Sequence, residues 1–316
     1  MQAIGLVCYI VCPPIPECIS RKLAFHPPPK GYSYVLRCTD HSGNCIETTK
    51  IKKAIKYASV KVKPKKLFSF CSPSMERIET TILKTQRNSL IVSVWVKNRI
   101  HLTTKNRREK NLVLIFSQPN SSDLGCYVQP MGMNLRWLSD VLDMDVYAYD
   151  YTGYGISSGR ATEKNMYSDI QAVYGHVLKT RGPNVKIALL GYSIGTVPTS
   201  FMAATHPTNL AGVVLVAPLT SGLRLFCNKP EQTTPCCLDR FKSYERAADI
   251  EVPVLICHGG KDNVIPIAHG LQLQQRLKRA VEPVIVEDAD HLSIFSGRYL
   301  SVFHRIRDFL HRETDI

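Results

Sequence analysis

A serine hydroxyl is a weak nucleophile at neutral pH, so it does chemistry only beside a base that a carboxylate orients. The chain carries those three types in a suitable order: Ser193, Asp262 and His291. Ser193 is the centre of Gly191-Tyr-Ser193-Ile-Gly195. This G-x-S-x-G stretch directly follows the apolar run Val185–Leu190 and opens a helical pattern, the strand–turn–helix context a nucleophile elbow needs. Small residues two before and two after let the chain turn tightly and expose the hydroxyl. Asp262 follows the apolar run Val252–Cys257 through His258-Gly-Gly-Lys, and His291 follows Pro283–Val286 through Glu287-Asp-Ala-Asp. Each residue therefore sits just past its own strand, where open α/β sheets place their sites. His258 and Asp290 are the nearest competitors and rank lower, since His258 precedes the acid position and Asp290 flanks the base. A second match, Gly155-Ile-Ser157-Ser-Gly159, lies in a Gly-rich stretch with no strand directly before it and reads as a turn.

The elements that must carry these residues read as α/β. Ile78–Leu83 and Leu90–Val96 are two antiparallel strands split by polar Thr85–Ser89. Leu112–Phe116 and Asp145–Tyr149 are short continuous apolar runs, as in strands buried on both faces. Thr162 is an N-cap ahead of Met166, Ile170, Val173 and Val177 at helical spacing. Strand-like runs recur at Val185–Leu190, Val213–Val216, Val252–Cys257 and Pro283–Val286, with helical stretches between most of them and a last helix over Ile294–His311. Strands alternating with helices predict an α/β fold, a mostly parallel central sheet flanked by helices. Residues 76–316 form one domain on this reading.

The 316 residues have a net charge of +14, unevenly distributed. Residues 1–110 hold 21 Lys and Arg against 6 Asp and Glu, leaving 19 against 20 for residues 111–316. Such asymmetry points to an anionic partner, a membrane surface or a nucleic acid. No zinc-finger spacing or aromatic RNA-binding signature favours nucleic acid. Residues 26–75, with Lys50, Lys52, Lys53, Lys56, Lys61, Lys63, Lys65 and Lys66, read as a solvated loop that can face lipid head groups, each near-surface Lys adding ~1 kcal/mol. Eleven cysteines are too few for a disulfide framework, and Cys38 and Cys45 complete no zinc site.

Residues 1–25 form a segment of their own. No basic residue precedes the apolar stretch, so it is not a secretory signal. Ala3–Val11 is too short to span a bilayer, and Gln2 excludes N-myristoylation. What remains is a short apolar segment with Cys8, Cys12 and Cys18 ahead of Arg21 and Lys22. Cysteines in that setting are candidates for S-palmitoylation; one acyl chain holds a protein only marginally, so attachment takes two or more chains plus a basic patch.

The stretches Tyr149-Asp-Tyr-Thr-Gly-Tyr-Gly155, Gly191-Tyr-Ser-Ile-Gly-Thr-Val-Pro198, Ala217-Pro-Leu-Thr-Ser-Gly222 and His258-Gly-Gly-Lys-Asp262 resemble the α/β-hydrolase domain-containing protein 17 family. So do Cys12-Pro-Pro and Lys22-Leu-Ala-Phe25 near the start. The resemblance covers residues 1–25 and about 76–312. It implies a membrane-anchored serine hydrolase that removes palmitate from cysteines of membrane-associated proteins, without metal or organic cofactor. Carried over by position, Ser193 is the nucleophile, Asp262 the orienting acid and His291 the base. Cys8 and Cys12 fall on the family's palmitoylated cluster and Cys18 just past it, which implies the cytoplasmic face of plasma and endosomal membranes. The resemblance also implies an oxyanion hole from the backbone N–H groups of Ile194 and Asn120. Here the chain departs from the family, which has Ser-His-Gly-Asn where this chain has Ser117-Gln118-Pro119-Asn120. Pro119 fixes its own φ and pushes Gln118 toward extended geometry. A misaimed donor costs roughly 10²–10³ in rate, so one rival reading is a pseudohydrolase that binds lipid or lipidated proteins at the membrane. Another, a hydrolase of lipids or small esters, keeps the three residues and changes the leaving group.

Overall fold

The computed structural model describes residues 24–65, 76–99, 111–129, 132–232 and 239–315. Cys8, Cys12 and Cys18 lie outside them. Eight strands form the main sheet: β4 (Ile78–Lys84), β5 (Leu90–Val96), β6 (Leu112–Ser117), β7 (Asp145–Tyr149), β8 (Lys186–Tyr192), β9 (Leu210–Val216), β10 (Val254–Gly259) and β11 (Val284–Val286). Their spatial order is β11-β10-β9-β8-β6-β7-β5-β4. The six strands from β7 to β11 across that order run parallel, while β5 and β4 add antiparallel at one edge. β6, β7, β9 and β10 are buried along their whole length, which is why they read as continuous apolar runs.

Helices cover both faces. Thr162 caps the helix Glu163–Arg181 by accepting the Asn165 N–H at 3.2 Å. That helix buries Met166, Ile170, Val173 and Val177 against the sheet. Each fully buried aliphatic side chain adds roughly 1.5–3 kcal/mol to the folded state. The last helical stretch is shorter than its periodicity predicts. A 3₁₀ turn at Ser293–Phe295 and a helix at Leu300–Arg312 replace the single helix. Gly297, at φ +90°, takes a left-handed conformation that a right-handed helix does not continue through. No helix among the described residues is long and apolar enough to cross a membrane.

The described part of this basic region, residues 26–65, is not a solvated loop. β1 (Tyr34–Thr39), β2 (Cys45–Thr48) and β3 (Ser59–Pro64) form a small antiparallel sheet in the order β2-β1-β3. Tyr34, Leu36, Cys38 and Val62 are buried in a core shared with the main domain. Lysines hid this pattern. In Ser59–Pro64, Val62 points inward while Lys61 and Lys63 point to solvent, a period of two with charge on the wet face. The Val62 N–H donates to the Thr80 hydroxyl at 2.9 Å, joining the small sheet to β4.

Candidate active site

β6 and β8 are neighbours, with Ser117 opposite Gly191. The chain continues from β6 to β7 on one side and reaches β8 on the other, so a crevice opens beyond their C-terminal ends. Ser193 stands there. Its φ is +56°, a left-handed conformation that costs a non-glycine residue about 1–2 kcal/mol. The turn is tight enough to exclude side chains at both flanking glycines. A Cβ on Gly191 would lie 2.4 Å from the Gly195 carbonyl oxygen, and one on Gly195 would lie 2.1 Å from that of Ser117. The 3₁₀ turn Ser193–Gly195 then enters the helix Thr196–Ala203.

The three residues singled out by type and order meet in space. Ser193 Oγ is 3.0 Å from His291 Nε2, and His291 Nδ1 is 2.7 Å from Asp262 Oδ2. All three are buried. The second Asp262 oxygen accepts the N–H groups of Val264 at 2.9 Å and Ile265 at 2.8 Å. Burial works against ionisation of this carboxyl. Hydrogen bonds from His258, His291 and the Ile265 amide outweigh it and hold the group well below the usual carboxylate range. An ionised Asp262 keeps the proton on Nδ1 of His291, leaving the Nε2 lone pair to accept from the serine hydroxyl. The loops bearing the acid and the base are tied together, since Gly260 N–H donates to the Val286 carbonyl and Lys261 N–H to that of Ala289, both at 2.9 Å.

The competitors take other positions. Asp290 caps a turn, accepting the N–H groups of Leu292 and Ser293. His258 is buried behind the acid, 2.8 Å from the Ile265 carbonyl and 3.5 Å from Asp262 Oδ2. Ser157 is a turn residue whose hydroxyl receives the Val92 N–H and donates to the Asp150 carbonyl.

The loop after β6 packs on the elbow, since the Cβ that Gly195 lacks would also lie 2.8 Å from the Gln118 carbonyl. Gln118 donates from Nε2 to Asp150 at 3.0 Å, and its carbonyl accepts the Tyr151 hydroxyl at 2.6 Å. Asp150 is fully buried and also receives the Tyr34 hydroxyl and the Leu124 N–H. Among the described residues the Asn120 N–H makes no hydrogen bond, whereas its side chain is fully engaged, as described below. The residues missed by sequence reasoning are thus Asp150, Tyr34 and Tyr151. Asp150 and Tyr151 lie within Tyr149–Gly155, which only its resemblance to a family stretch marked. Tyr34 had no signal.

Two exposed apolar side chains lie close by in sequence: Leu292, 75% exposed, follows His291, and Val264, 60% exposed, stands two positions after Asp262.

Sheet order, elbow and site define an α/β hydrolase. A family model described as "Serine aminopeptidase, S33" matches residues 140–241. Alpha/beta hydrolase domain-containing protein 17B of Homo sapiens is 34% identical over 98% of this chain and 96% of its own length. The corresponding 17C of Xenopus tropicalis is 33% identical over 98% and 95%. The chain belongs to the α/β-hydrolase domain-containing protein 17 family. The match runs through residues 26–75, which the motif resemblance left out. Among solved structures, the Pyrococcus furiosus esterase Pf2001 shares the fold at 16% identity and TM-score 0.58, covering 79% of this chain and 99% of that one.

Proposed function

We propose that this hydrolase is a palmitoyl-protein thioesterase acting on S-acylated cysteines of membrane-associated proteins. The hydrogen-bonded sequence Ser193–His291–Asp262 carries the reading. Ser193 Oγ attacks the thioester carbonyl while His291 Nε2 takes its proton. The charged imidazole is stabilised by Asp262. The tetrahedral oxyanion accepts the N–H groups of Ile194 and Asn120, and its collapse expels the cysteine thiolate, which takes the proton from His291. Water, deprotonated by His291, then attacks the acyl-serine and releases palmitate.

The exposed Val264 and Leu292 beside the site suit an apolar acyl chain better than a charged substrate. Acylation of Cys8, Cys12 and Cys18, with the basic N-terminal third against anionic lipid, would hold the protein on the cytoplasmic face of plasma and endosomal membranes and confine enzyme and substrate to one surface. Nucleic acid has no part in this reading.

Labelling by a serine-reactive fluorophosphonate should be strong in the full chain and absent in Ser193→Ala. Release of palmitate from a palmitoylated membrane protein should follow the same pattern. Hydrolysis of short esters without palmitate release would replace the reading with a small-ester hydrolase. No labelling of the folded protein would indicate a pseudohydrolase. Replacing Cys8 and Cys12 with Ser should move the protein into the cytosol.

A further inference from the structure

Residues 24–26 lie across the loop that carries the proposed oxyanion donor. The Asn120 side chain is gripped from both ends. Its Oδ1 accepts the His26 N–H at 3.0 Å and the Tyr154 hydroxyl at 2.6 Å. Its Nδ2 donates to the Ala24 carbonyl at 2.7 Å and to His26 Nδ1 at 3.1 Å. Phe25, between the two gripping residues, is buried. Its ring meets Tyr154 edge-on at 6.5 Å and Phe241 at 5.7 Å. Tyr154 thus contacts both the ring of Phe25 and the side chain of Asn120.

We propose that Ala24–His26 is a strap that positions the Asn120 N–H for the oxyanion, with Phe25 as the positioning residue that seats it. The inference rests on the hydrolase mechanism above. Pro119 explains why a strap is useful here. It stiffens its own φ but contributes no N–H, so the aim of the next amide is set by what holds residue 120. Among the described residues, the holds on the Asn120 side chain from outside its own loop come from Ala24, His26 and Tyr154. A misplacement of even an ångström at a reacting centre can lower a rate by roughly 10²-fold. Since the strap acts on transition-state charge and not on substrate binding, its loss lowers kcat and leaves KM in place.

The test uses the full chain and a water-soluble short ester, p-nitrophenyl butyrate, so that membrane attachment does not enter. Phe25→Ala should lower kcat roughly tenfold at unchanged KM, and Phe25→Leu should recover most of it. Asn120→Ala keeps the backbone N–H and frees it from the strap, and should lower kcat at least as much. The double variant should be no slower than Asn120→Ala alone, because both act through one contact. Full kcat in Phe25→Ala, or additive losses in the double variant, overturns the strap while Ser193-dependent turnover upholds the mechanism. Turnover equal in wild type and Ser193→Ala overturns the mechanism, and the strap with it. If Phe25→Ala does not fold, full kcat in Asn120→Ala alone overturns the strap.

Discussion

The Tyr192 hydroxyl donates a 2.5 Å hydrogen bond to the carbonyl oxygen of His291, linking the residue before Ser193 to the imidazole-bearing residue that Ser193 meets. The rings of the two residues lie 5.6 Å apart. The elbow and the base loop are therefore held in register by one buried bond across 99 positions of sequence. Tyr192→Phe keeps the ring and removes the bond. A buried hydrogen bond of this kind is worth ~1 kcal/mol, with more lost when the carbonyl is stranded. We expect Tm to fall by a few degrees and kcat to fall several-fold, read by thermal unfolding and ester turnover. Unchanged kcat would mean that the base loop holds its place without Tyr192.

Gly195 is a second point of contact between loops. A methyl group there would collide with two backbone carbonyls, those of Ser117 and Gln118. Backbone cannot swing away like a side chain, so Gly195→Ala forces the loop after β6 and the elbow apart. Overpacking typically costs 1–3 kcal/mol, and here the displaced groups are those the proposed mechanism sets around the reacting carbonyl. Activity should fall by roughly 10² or more, even in preparations that remain folded by circular dichroism. A folded variant with normal turnover would refute this close approach.

Asp262→Asn tests the acid. An amide cannot stabilise the imidazolium and permits the wrong tautomer of His291, so kcat should fall by roughly 10⁴. The substitution also changes acid stability. Because the folded-state pKa of Asp262 is depressed, its contribution is present above its unfolded value near 3.8 and is lost as pH falls through the folded value. Wild type should therefore lose stability in acid more steeply than Asp262→Asn. Parallel acid-unfolding curves would count against this assignment.

Asp150 titrates in the opposite sense. Burial, and then the charge of Asp123, raise its carboxyl from 3.8 to about 7, against the hydrogen bonds it receives from Tyr34, Leu124 and Gln118. The folded chain thus binds more protons than the unfolded chain between those values. The associated stability is complete below about pH 4 and is lost as pH rises through about 7. Asp169, raised by burial to about 7 against its bonds from Thr152, acts in the same direction. Asp150→Asn should flatten the decline of Tm between pH 4 and 8, measured by differential scanning fluorimetry. A slope equal to that of wild type would remove Asp150 as its source.

The order of strands and helices, the elbow at Ser193 and the positions of Asp262 and His291 were legible in the sequence. Their signals are local. A buried strand is a continuous apolar run, and an elbow needs small residues two positions either side of its serine. The short sheet at residues 34–64 was missed because its inward residues alternate with lysines that dominate the composition. The helix Leu300–Arg312 was overextended because Ile294 and Phe295 keep the apolar spacing while Gly297 breaks the backbone. What only the tertiary structure decided is how the loop after β6 is held. Gln118 is anchored through Asp150 to Tyr34, 116 positions from that aspartate, and Asn120 is gripped by residues some 94 positions away. Hydrogen bonds over such separations impose no periodicity and no local composition on the chain. They exist only once the sheet has brought the ends of β6 and β7 beside Ala24–His26 and Tyr34.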